Sequence, residues 1–451
     1  MNIKTNSKYV KKNDIFVCIH DELEDRHKYI KDIKVASAII IDKEVKNQRN
    51  IPLIKVKDTN DTLFNIYNNY YNEPLKNLNI IAVTGTDGKT TTAIIIKQLL
   101  DNFIDTGYIG TNGFIYKDNH IKTKNTTPSI DIILKYASIL KNENINTLIM
   151  EASSEGLLHK RCDNLKIKRA IITNVTGDHL NIHKTFDNYL NSKLKLFKLL
   201  TKDGIAIINK EDISYDYIKK MKIKKISYGK KDANYQINNI KEFSNKTTFT
   251  LIHNKKSYKV ESPLLGKFNA YNLMSAIICL NTLGYDMEKI LDKVKYLKPI
   301  SGRMNIFYTK NNAQIILDYA HTLKATTEIL KFANNLNKKN IITILGSAGG
   351  REKKKRKYIG KIASDLSNKV IFTMDDPRNE KVENIVKDLT KDITKKNYIY
   401  IKNRKKAIKY AIKNAKENDL ILILGKGTDD YMALRDKYKK YNDLKVIKKY
   451  I

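Results

Sequence analysis

A glycine-rich segment that carries a lysine and several threonines is the part of the sequence best suited to hold phosphate groups. An apolar run from Ile80 to Val83 leads into Thr84-Gly85-Thr86-Asp87-Gly88-Lys89-Thr90, and helical spacing continues from Ala93 to Leu100. In that context the glycines let backbone N–H groups turn toward phosphate oxygens at a helix N-terminus. We expect Lys89 to neutralise the outer phosphates and the Thr90 hydroxyl to ligate magnesium. The segment therefore predicts a phosphate-binding loop.

The spacing of this loop departs from the common phosphate-loop pattern. That pattern would place a glycine at position 83, where Val83 stands. The loop is interpreted as a shortened variant. The alternative is a plain glycine turn between a strand and a helix.

Two further residues, Glu151 and His179, have side chains that suit a metal site. Glu151 ends an apolar strand pattern, and magnesium prefers carboxylate oxygen. The alternative for Glu151 is a capping carboxylate, and for His179 it is a structural histidine. Lys193 follows His179 by fourteen residues, and its residue type alone favours an ordinary exposed helix lysine.

Short apolar runs alternate with helical patterns along the chain, which is typical of parallel α/β layers. The runs predicted as strands are Ile15 to Ile19, Ala38 to Ile41, Ile80 to Val83, Thr147 to Met150, Ala170 to Thr173, Ile205 to Ile208, Ile315 to Leu317, Ile341 to Leu345, Val370 to Thr373 and Leu420 to Leu424. Pro or Gly beside polar residues marks breaks near Asn72-Glu73-Pro74 and near Lys298-Pro299-Ile300-Ser301-Gly302. We expect three domains, at residues 1–77, 78–298 and 299–451.

Composition narrows the class of protein. The formal charge of +36 favours acidic partners, nucleic acid among them, but the lysines are spread along all 451 residues and form no single stripe. We therefore expect no nucleic-acid partner. The three cysteines lie far apart, which favours a reducing compartment over a disulfide framework. Neither a membrane span nor a signal peptide is evident, so we expect a soluble cytoplasmic protein without membrane insertion.

Further motifs, in order along the chain, carry a resemblance to a known family. They are Glu151-Ala152-Ser153-Ser154-Glu155-Gly156-Leu157, Thr173-Asn174-Val175-Thr176-Gly177-Asp178-His179-Leu180, Tyr189 to Phe197, Gly266 to Leu273, Gly302-Arg303-Met304 and Leu317 to Thr322. With the short phosphate loop, these segments resemble the Mur ligases and their folylpolyglutamate synthetase relatives. The match covers nearly the whole chain.

The resemblance implies a fold and an activity. The fold would comprise a small N-terminal uridine-binding α/β domain, a central P-loop ATPase-like domain with a mainly parallel sheet, and a C-terminal Rossmann-like α/β domain. The activity would be ATP-dependent addition of a diamino acid to UDP-N-acetylmuramoyl-L-alanyl-D-glutamate through an acyl phosphate, in peptidoglycan precursor synthesis. ATP and Mg²⁺ would be required, and the protein would act as a monomer.

The resemblance also implies roles for individual residues. Lys89, Glu151, His179, Lys193 and Arg303 would be catalytic. Metal ligands would be Thr90, Glu151, His179 and Lys193, the last as a carbamate (N6-carboxylysine). ATP contacts would come from Gly85, Thr86, Asp87, Gly88, Lys89, Thr90, Thr91, Asn272, Arg303 and Asp318. The muramoyl-peptide substrate would contact Ser7, Asn125, Thr126, Thr127, Ser153, His159 and Arg161. For Arg303 and Asp318, a surface salt bridge is the alternative.

The incoming amino acid would be bound by residues of the last domain. They are Arg351, Asp375, Asp376, Pro377, Arg378, Gly425 and Asp429. Arg351 and Arg378 suit the distal carboxylate of meso-2,6-diaminopimelate, which we favour. Asp376 and Asp429 stand where diaminopimelate-adding members usually have Asn and Glu, and this extra acidity keeps lysine, ornithine or another diamino acid open.

Two other classes of protein remain as alternatives. A folylpolyglutamate synthetase-like ligase would need neither an N-terminal uridine domain nor the Asn125-Thr126-Thr127-Pro128 segment. A catalytically idle scaffold or a basic nucleic-acid binder would not need Lys89, Thr90, Glu151, His179 and Lys193.

Overall fold

A computed structural model describes residues 2–46, 50–177, 180–435 and 437–451, with only the backbone at residues 180 and 181. Within these ranges the strands form sheets of four, eleven, six and two strands. The three larger sheets follow one another along the chain.

The first sheet is small and parallel. Its strands, in the spatial order β1-β2-β3-β4, are β1 (Ile3–Lys4), β2 (Ile15–Val17), β3 (Ala38–Ile41) and β4 (Leu53–Lys55). Two 3₁₀ helices, Ser7–Tyr9 and Arg26–Asp32, connect its strands, and helix α1 (Thr59–Tyr70) follows it.

The second sheet has eleven strands and carries the phosphate-loop segment. In chain order the strands are β5 (Asn79–Thr84), β6 (Gly107–Gly110), β7 (Gly113–Tyr116), β8 (Asn119–Ile121), β9 (Thr147–Glu151), β10 (Ile167–Ile172), β11 (Leu200–Asn209), β12 (Lys224–Gly229), β13 (Tyr235–Glu242), β14 (Thr247–His253) and β15 (Lys256–Ser262). Its helices are α2 (Lys89–Leu100), α3 (Ile130–Asn142), α4 (Ser154–Leu158), α5 (Leu180–His183), α6 (Phe186–Lys198), α7 (Tyr215–Ile218), α8 (Lys267–Thr282) and α9 (Met287–Val294).

The middle of this sheet is parallel and its two margins are antiparallel. The spatial order is β15-β14-β13-β12-β11-β10-β5-β9-β6-β7-β8. The strands from β13 across to β6 pair in parallel, whereas β13-β14-β15 and β6-β7-β8 are antiparallel meanders. The sequence did not predict the meanders, because their half-exposed strands lack the continuous apolar runs of the buried ones.

The third sheet is mostly parallel, in the order β16-β17-β21-β18-β19-β20. Its strands are β16 (Asn305–Tyr308), β17 (Gln314–Asp318), β18 (Ile341–Leu345), β19 (Lys369–Phe372), β20 (Tyr398–Tyr400) and β21 (Leu420–Leu424), and only β16 runs antiparallel to its neighbour. Its helices are α10 (Leu323–Asn334), α11 (Arg356–Asp365), α12 (Val382–Thr390), α13 (Arg404–Asn414) and α14 (Asp443–Tyr450). A hairpin of β22 (Tyr431–Leu434) and β23 (Lys437–Lys440) lies after β21.

All ten predicted strands are confirmed, three of them with the predicted ends: β3, β18 and β21. The central strands are predictable because helices cover both faces of the sheet. Ile81 and Val83 of β5 pack into one apolar core, and Ile80 and Ala82 pack into the other. A strand buried on both sides has to be apolar at every position.

Both predicted breaks lie in stretches of the described chain that connect one sheet to the next. The last strand of the first sheet ends at Lys55 and β5 begins at Asn79; β15 ends at Ser262 and β16 begins at Asn305. Among the helices in the described ranges, none has both the length and the apolar character needed to cross a membrane.

Candidate functional site

The phosphate loop leaves the carboxyl end of β5, in the middle of the large sheet. Strands β10 and β9 flank β5, and α2 begins directly after the loop. Gly88 is the N-cap of α2 with a φ of +84°, a conformation that L side chains rarely adopt. The first turn of α2, which includes the buried Thr90 and Thr91, directly follows the loop, and the N–H groups of a first helical turn have no acceptor within their own helix.

Lys89 is folded back over the loop. Its Nζ donates hydrogen bonds to the carbonyl oxygens of Gly85 and Thr86, both at 2.9 Å. The neighbouring segment holds the loop from the other side: the backbone N–H of Thr86 donates to the carbonyl of Asn174 at 2.8 Å. The hydroxyl of Thr173 donates to the carbonyl of Asp87 at 2.6 Å. These hydrogen bonds fix the conformation of the loop, and the Lys89 ammonium lies against its backbone carbonyls.

Glu151 lies at the end of β9, fully buried beneath the loop. Its carboxylate accepts hydrogen bonds from the Thr90 hydroxyl at 2.9 Å, from the backbone N–H of Thr111 at 2.9 Å and from the Tyr108 hydroxyl. Burial, together with this carboxylate, raises the pKa of Tyr108 well above its ordinary value, so Tyr108 stays a neutral donor. A carboxylate and a threonine hydroxyl in contact are hard oxygen donors, and they fit a magnesium ion.

Lys193 is almost completely buried on α6, with 1% of its surface exposed. Its Nζ donates to the carbonyl of Gly85 at 2.7 Å and lies 4.3 Å from the centre of the Tyr189 ring. The alternative of an ordinary exposed lysine is therefore wrong for Lys193. His179, its predicted partner at the metal site, lies outside the described residues.

Asn272 contacts the start of α2 from helix α8. Its Oδ1 accepts a hydrogen bond from the Thr92 hydroxyl at 3.3 Å, and a Cβ atom added at Gly88 would lie 2.5 Å from the same oxygen. The predicted nucleotide residue therefore lies beside the loop, and its side chain would have to move to admit a Cβ at position 88.

Arg303 reaches the loop from the third sheet. Its Nη2 lies 3.4 Å from the Thr90 hydroxyl, and its guanidinium carbon lies 4.3 Å from the centre of the Tyr319 ring. Asp318 supports the same region, because its carboxylate accepts the backbone N–H groups of Met304 at 2.9 Å and Ala320 at 2.7 Å. Burial raises the pKa of Asp318, although Arg303 opposes the shift. Among the described residues, Arg303 and Asp318 form no ion pair within 4.0 Å. The alternative of a surface salt bridge is therefore wrong for both.

A second contact joins the loop to the third sheet. The hydroxyl of Thr322, at the N-cap of α10, donates to the Asp87 carboxylate at 3.1 Å. The sequence motif ended at this threonine but gave it no role. Tyr108, Thr111 and Asn174 were also missed, because neither their type nor their spacing marks them as loop or carboxylate partners.

Four of the seven residues predicted to hold the muramoyl peptide form one cluster beside Glu151. The Thr127 hydroxyl donates to the Glu151 carbonyl at 2.9 Å, and the Ser153 backbone N–H donates to Thr127. Arg161 donates to the Thr127 carbonyl at 2.9 Å, and burial lowers the pKa of its guanidinium. Thr126 pairs with the Thr111 hydroxyl at 3.1 Å.

Three residues predicted for the same substrate lie outside that cluster. Asn125 is exposed on the connection between β8 and α3, and the half-buried Ser7 begins the first 3₁₀ helix. The imidazole Nδ1 of His159 lies 2.8 Å from the carboxylate of Asp21, which follows the first sheet's strand β2. His159 therefore joins two parts of the chain.

The residues predicted for the amino acid gather at the carboxyl ends of β18, β19 and β21. Asp375 is buried, and a Cβ added at Gly425 would lie 2.3 Å from its carboxylate. Burial raises the pKa of Asp375, although Arg404 and Lys426 oppose the shift. Arg378 donates to the carbonyl of Gly349 at 3.0 Å. Within the described ranges the Arg351 side chain forms no hydrogen bond or ion pair.

Lys426, which lies between the predicted residues Gly425 and Asp429, was not predicted as part of this region. Its buried ammonium lies 2.8 Å from Asp376 and 3.4 Å from Asp429. Asp376 also accepts the Ala433 backbone N–H at 2.9 Å, and Asp429 accepts the Tyr319 hydroxyl. Burial would lower the pKa of Lys426, but the carboxylates of Asp375, Asp376 and Asp429 raise it overall. The sequence signal that could have identified Lys426 is its position between two glycines, directly after the apolar run Leu420 to Leu424.

The site thus combines a phosphate loop, a buried oxygen-rich pair and an arginine from another sheet, the arrangement of a phosphoryl-transfer enzyme. Comparison with known proteins narrows that class. Residues 83–280 match the Mur ligase middle domain, and residues 302–427 match the Mur ligase, glutamate ligase domain.

Curated relatives match along the whole chain. The UDP-N-acetylmuramoyl-L-alanyl-D-glutamate–2,6-diaminopimelate ligase of Clostridium botulinum is 35% identical, over 100% of this chain and 94% of that protein. The protein of the same name from Fusobacterium nucleatum is 36% identical, over 100% and 93%. A solved structure of such a ligase superposes with a TM-score of 0.68 at 28% identity, over 100% of this chain and 94% of that one. The chain belongs to the Mur ligase family.

Proposed function

We propose that the protein is an ATP-dependent ligase that adds meso-2,6-diaminopimelate to UDP-N-acetylmuramoyl-L-alanyl-D-glutamate in peptidoglycan precursor synthesis. The printed names of the full-length relatives support this substrate pair. Residues 1–77 would bind the uridine end, residues 78–298 would bind ATP, and residues 299–451 would bind the amino acid.

One observation carries the proposal: Arg303, just before the first strand of the third sheet, lies 3.4 Å from the Thr90 hydroxyl, which in turn donates to Glu151. An arginine from one sheet next to a phosphate loop on another can stabilise charge on a transferring phosphoryl group. Such a contact also makes catalysis depend on the approach of the two parts of the chain.

Magnesium fits the oxygen donors of this site. Thr90 and Glu151 would hold one ion, and His179 with Lys193 as a carbamate would hold another. Bound there, the ions would supply electrostatic stabilisation of phosphate charge. The Lys193 ammonium repels a cation. After losing a proton, the Lys193 amine would add to carbon dioxide and release a second proton, which leaves a carboxylate-like carbamate ligand.

The reaction would proceed in two steps. The D-glutamate side-chain carboxylate attacks the γ-phosphorus of ATP, which forms an acyl phosphate and releases ADP. The amine of the diamino acid then attacks the acyl carbon, so that an amide forms and phosphate leaves. Lys89 and Arg303 offset the phosphate charge, while Thr127 and Arg161 lie where they can hold the muramoyl peptide.

The charges around Lys426 favour diaminopimelate over lysine or ornithine. Asp376 and Asp429, the acidic residues that left those alternatives open, already contact the Lys426 ammonium. Because their charge is already offset by Lys426, Asp376 and Asp429 attract the side-chain ammonium of lysine or ornithine less strongly. That ammonium, unlike the distal one of diaminopimelate, has no carboxylate beside it. Arg351 and Arg378 add positive charge that suits the distal carboxylate of diaminopimelate.

A phosphate-release assay tests the proposal. The purified protein would receive ATP, Mg²⁺ and UDP-N-acetylmuramoyl-L-alanyl-D-glutamate, with diaminopimelate, lysine, ornithine or glutamate as the fourth component. We expect release that depends on the muramoyl dipeptide and is fastest with diaminopimelate. Release with a folate and glutamate, or salt-sensitive RNA binding without any release, would overturn the proposal.

A matched pair of lysine variants controls for damage to the fold. Lys89→Ala should lower kcat by at least about a hundredfold, because the loop loses its phosphate-neutralising cation. Lys289→Ala, on the exposed side of α9, should leave kcat unchanged.

A further inference from the structure

Arg356, at the start of α11, is a fully buried cation that contacts two acidic residues. Its guanidinium lies 2.6 Å from Glu380 and 2.8 Å from Asp388, and it donates to the carbonyl of Ala348 at 3.1 Å. The Arg356 hydrogen bond, with Lys353 and the Gly350 N–H, lowers the pKa of Glu380 to about 2, so Glu380 is charged. A buried cation of this kind is costly unless its partners are fixed.

Glu380 connects Arg356 to the loop that carries Arg351. The Gly350 backbone N–H donates to the Glu380 carboxylate at 3.1 Å, and Gly350 has a φ of +63°. Together with the bond from Arg356 to Ala348, this contact fixes the backbone directly before Arg351.

The same loop rests on the segment that carries Arg378. The Gly349 N–H donates to the Asp376 carbonyl at 3.0 Å, and the Arg378 guanidinium donates to the Gly349 carbonyl at 3.0 Å. A Cβ at Gly349 would lie 1.9 Å from the Pro377 carbonyl oxygen. The backbones that carry the two arginines are therefore in direct contact.

We infer that Arg356 and Glu380 are positioning residues that set the place of Arg351 relative to Arg378, and thereby the recognition of the distal carboxylate of the amino acid substrate. The inference rests on the proposed function. The geometry supports it because Arg356 and Glu380 contact the loop backbone at Ala348 and Gly350. The Arg351 guanidinium has no partner within the described ranges, and Arg378 makes its hydrogen bond to Gly349 through Nη1. A binding site held in this way depends on its supporting contacts.

The Glu380→Ala variant tests the inference in two measurements. It should raise the KM for diaminopimelate by about tenfold or more, while the KM values for ATP and the muramoyl dipeptide change by less than about twofold. It should also reduce the preference for diaminopimelate over L-lysine, since lysine has no distal carboxylate. Hydrogen exchange in residues 347–353 should become faster, and exchange in the phosphate loop should not.

Two further variants separate positioning from general damage. Glu380→Gln keeps an oxygen that can accept the Gly350 N–H and should recover part of the lost affinity. Asp388→Asn removes the other acidic partner of Arg356, which does not touch the loop, and should behave like the unmodified protein. An Asp388→Asn defect as large as that of Glu380→Ala would overturn the inference.

The exchange measurement distinguishes failure of the inference from failure of the proposed function. If the unmodified protein ligates none of the diamino acids, the proposed function fails, and unchanged exchange in Glu380→Ala would then also reject the loop contact. If ligation occurs and Glu380→Ala keeps its selectivity, the inference is wrong even when exchange becomes faster.

Discussion

Lys193 and Lys195 lie two positions apart on α6, and only their surroundings distinguish them. Lys193 is 1% exposed and donates to the phosphate loop. Lys195 is partly exposed and pairs with Glu22. Residue type and spacing could not separate these two lysines, since both occur in the same helical segment of a lysine-rich chain. The burial of Lys193 supports the proposal that it is the carbamylated residue.

Replacing Lys193 tests that role. Lys193→Ala should lose activity, and high bicarbonate should not restore it, because the side chain that would carry the carbamate is gone. Phosphate release with and without bicarbonate measures the effect, and a mass increase of one carbon dioxide on the Lys193 peptide would identify the modification.

Lys195→Ala is the matched control for this experiment. It removes an exposed ion pair, which typically contributes little, and should keep nearly full activity. Full activity in Lys193→Ala would exclude the carbamate role.

At the scale of elements, the phosphate loop depends on glycine for two separate reasons. Gly88 has a φ of +84°, and a Cβ there would lie 2.5 Å from Asn272. The sequence predicted the loop because strand, glycines, lysine and helix follow one another in the chain. Residue spacing did not reveal the close approach of α8, because Asn272 is far from the loop in sequence; only the family resemblance placed Asn272 at the nucleotide.

Gly88→Ala should abolish ATP binding. The added methyl group has to displace Asn272, which contacts Thr92 of α2, or shift the start of α2 and with it the N–H groups that face phosphate. Titration with a fluorescent ATP analogue measures binding, and thermal unfolding measures stability.

Gly284→Ala is a control that separates the backbone strain of a positive φ from the steric clash with Asn272. Gly284 has a φ of +99°, but a Cβ there would meet no atom within 4 Å. That variant should lose about 1–2 kcal/mol of stability and still bind ATP. ATP binding by Gly88→Ala at the level of Gly284→Ala would contradict the explanation.

At the scale of the whole molecule, a few polar contacts join the parts built on different sheets. Arg303 and Thr322 reach the phosphate loop from the third sheet. Between the first and second sheets, the Asp21 carboxylate after β2 lies 2.8 Å from the imidazole of His159, which follows α4. Burial alone would raise the pKa of Asp21, but the hydrogen bond from His159 and those from the Leu23 and Glu24 backbone lower it overall.

This pKa shift predicts how stability depends on pH. A carboxyl group whose pKa is lower in the folded state stabilises the fold above its unfolded value of about 3.9, and that stabilisation is lost as the pH falls through the folded value. Asp21→Asn should therefore lower the urea midpoint at pH 6, and its difference from the unmodified protein should close below about pH 4.

Asp292→Asn provides the comparison for this series. Asp292 is exposed on α9, and within the described ranges its side chain has no hydrogen bond or ion pair. It should follow the unmodified protein at every pH. A constant difference between Asp21→Asn and the unmodified protein across the range would reject the linkage.

The sequence by itself determined the local features: the buried parallel strands, the phosphate loop and the order of the family motifs. These are readable because a strand covered on both faces has to be apolar and because a phosphate loop is continuous in the chain. The tertiary structure decided which side chains meet. Burial separated Lys193 from Lys195, and distant segments brought Arg303 to Thr90, Lys426 to Asp376 and Arg356 to Glu380. Such contacts depend on how sheets and helices pack, and spacing along the chain does not encode them in a readable way.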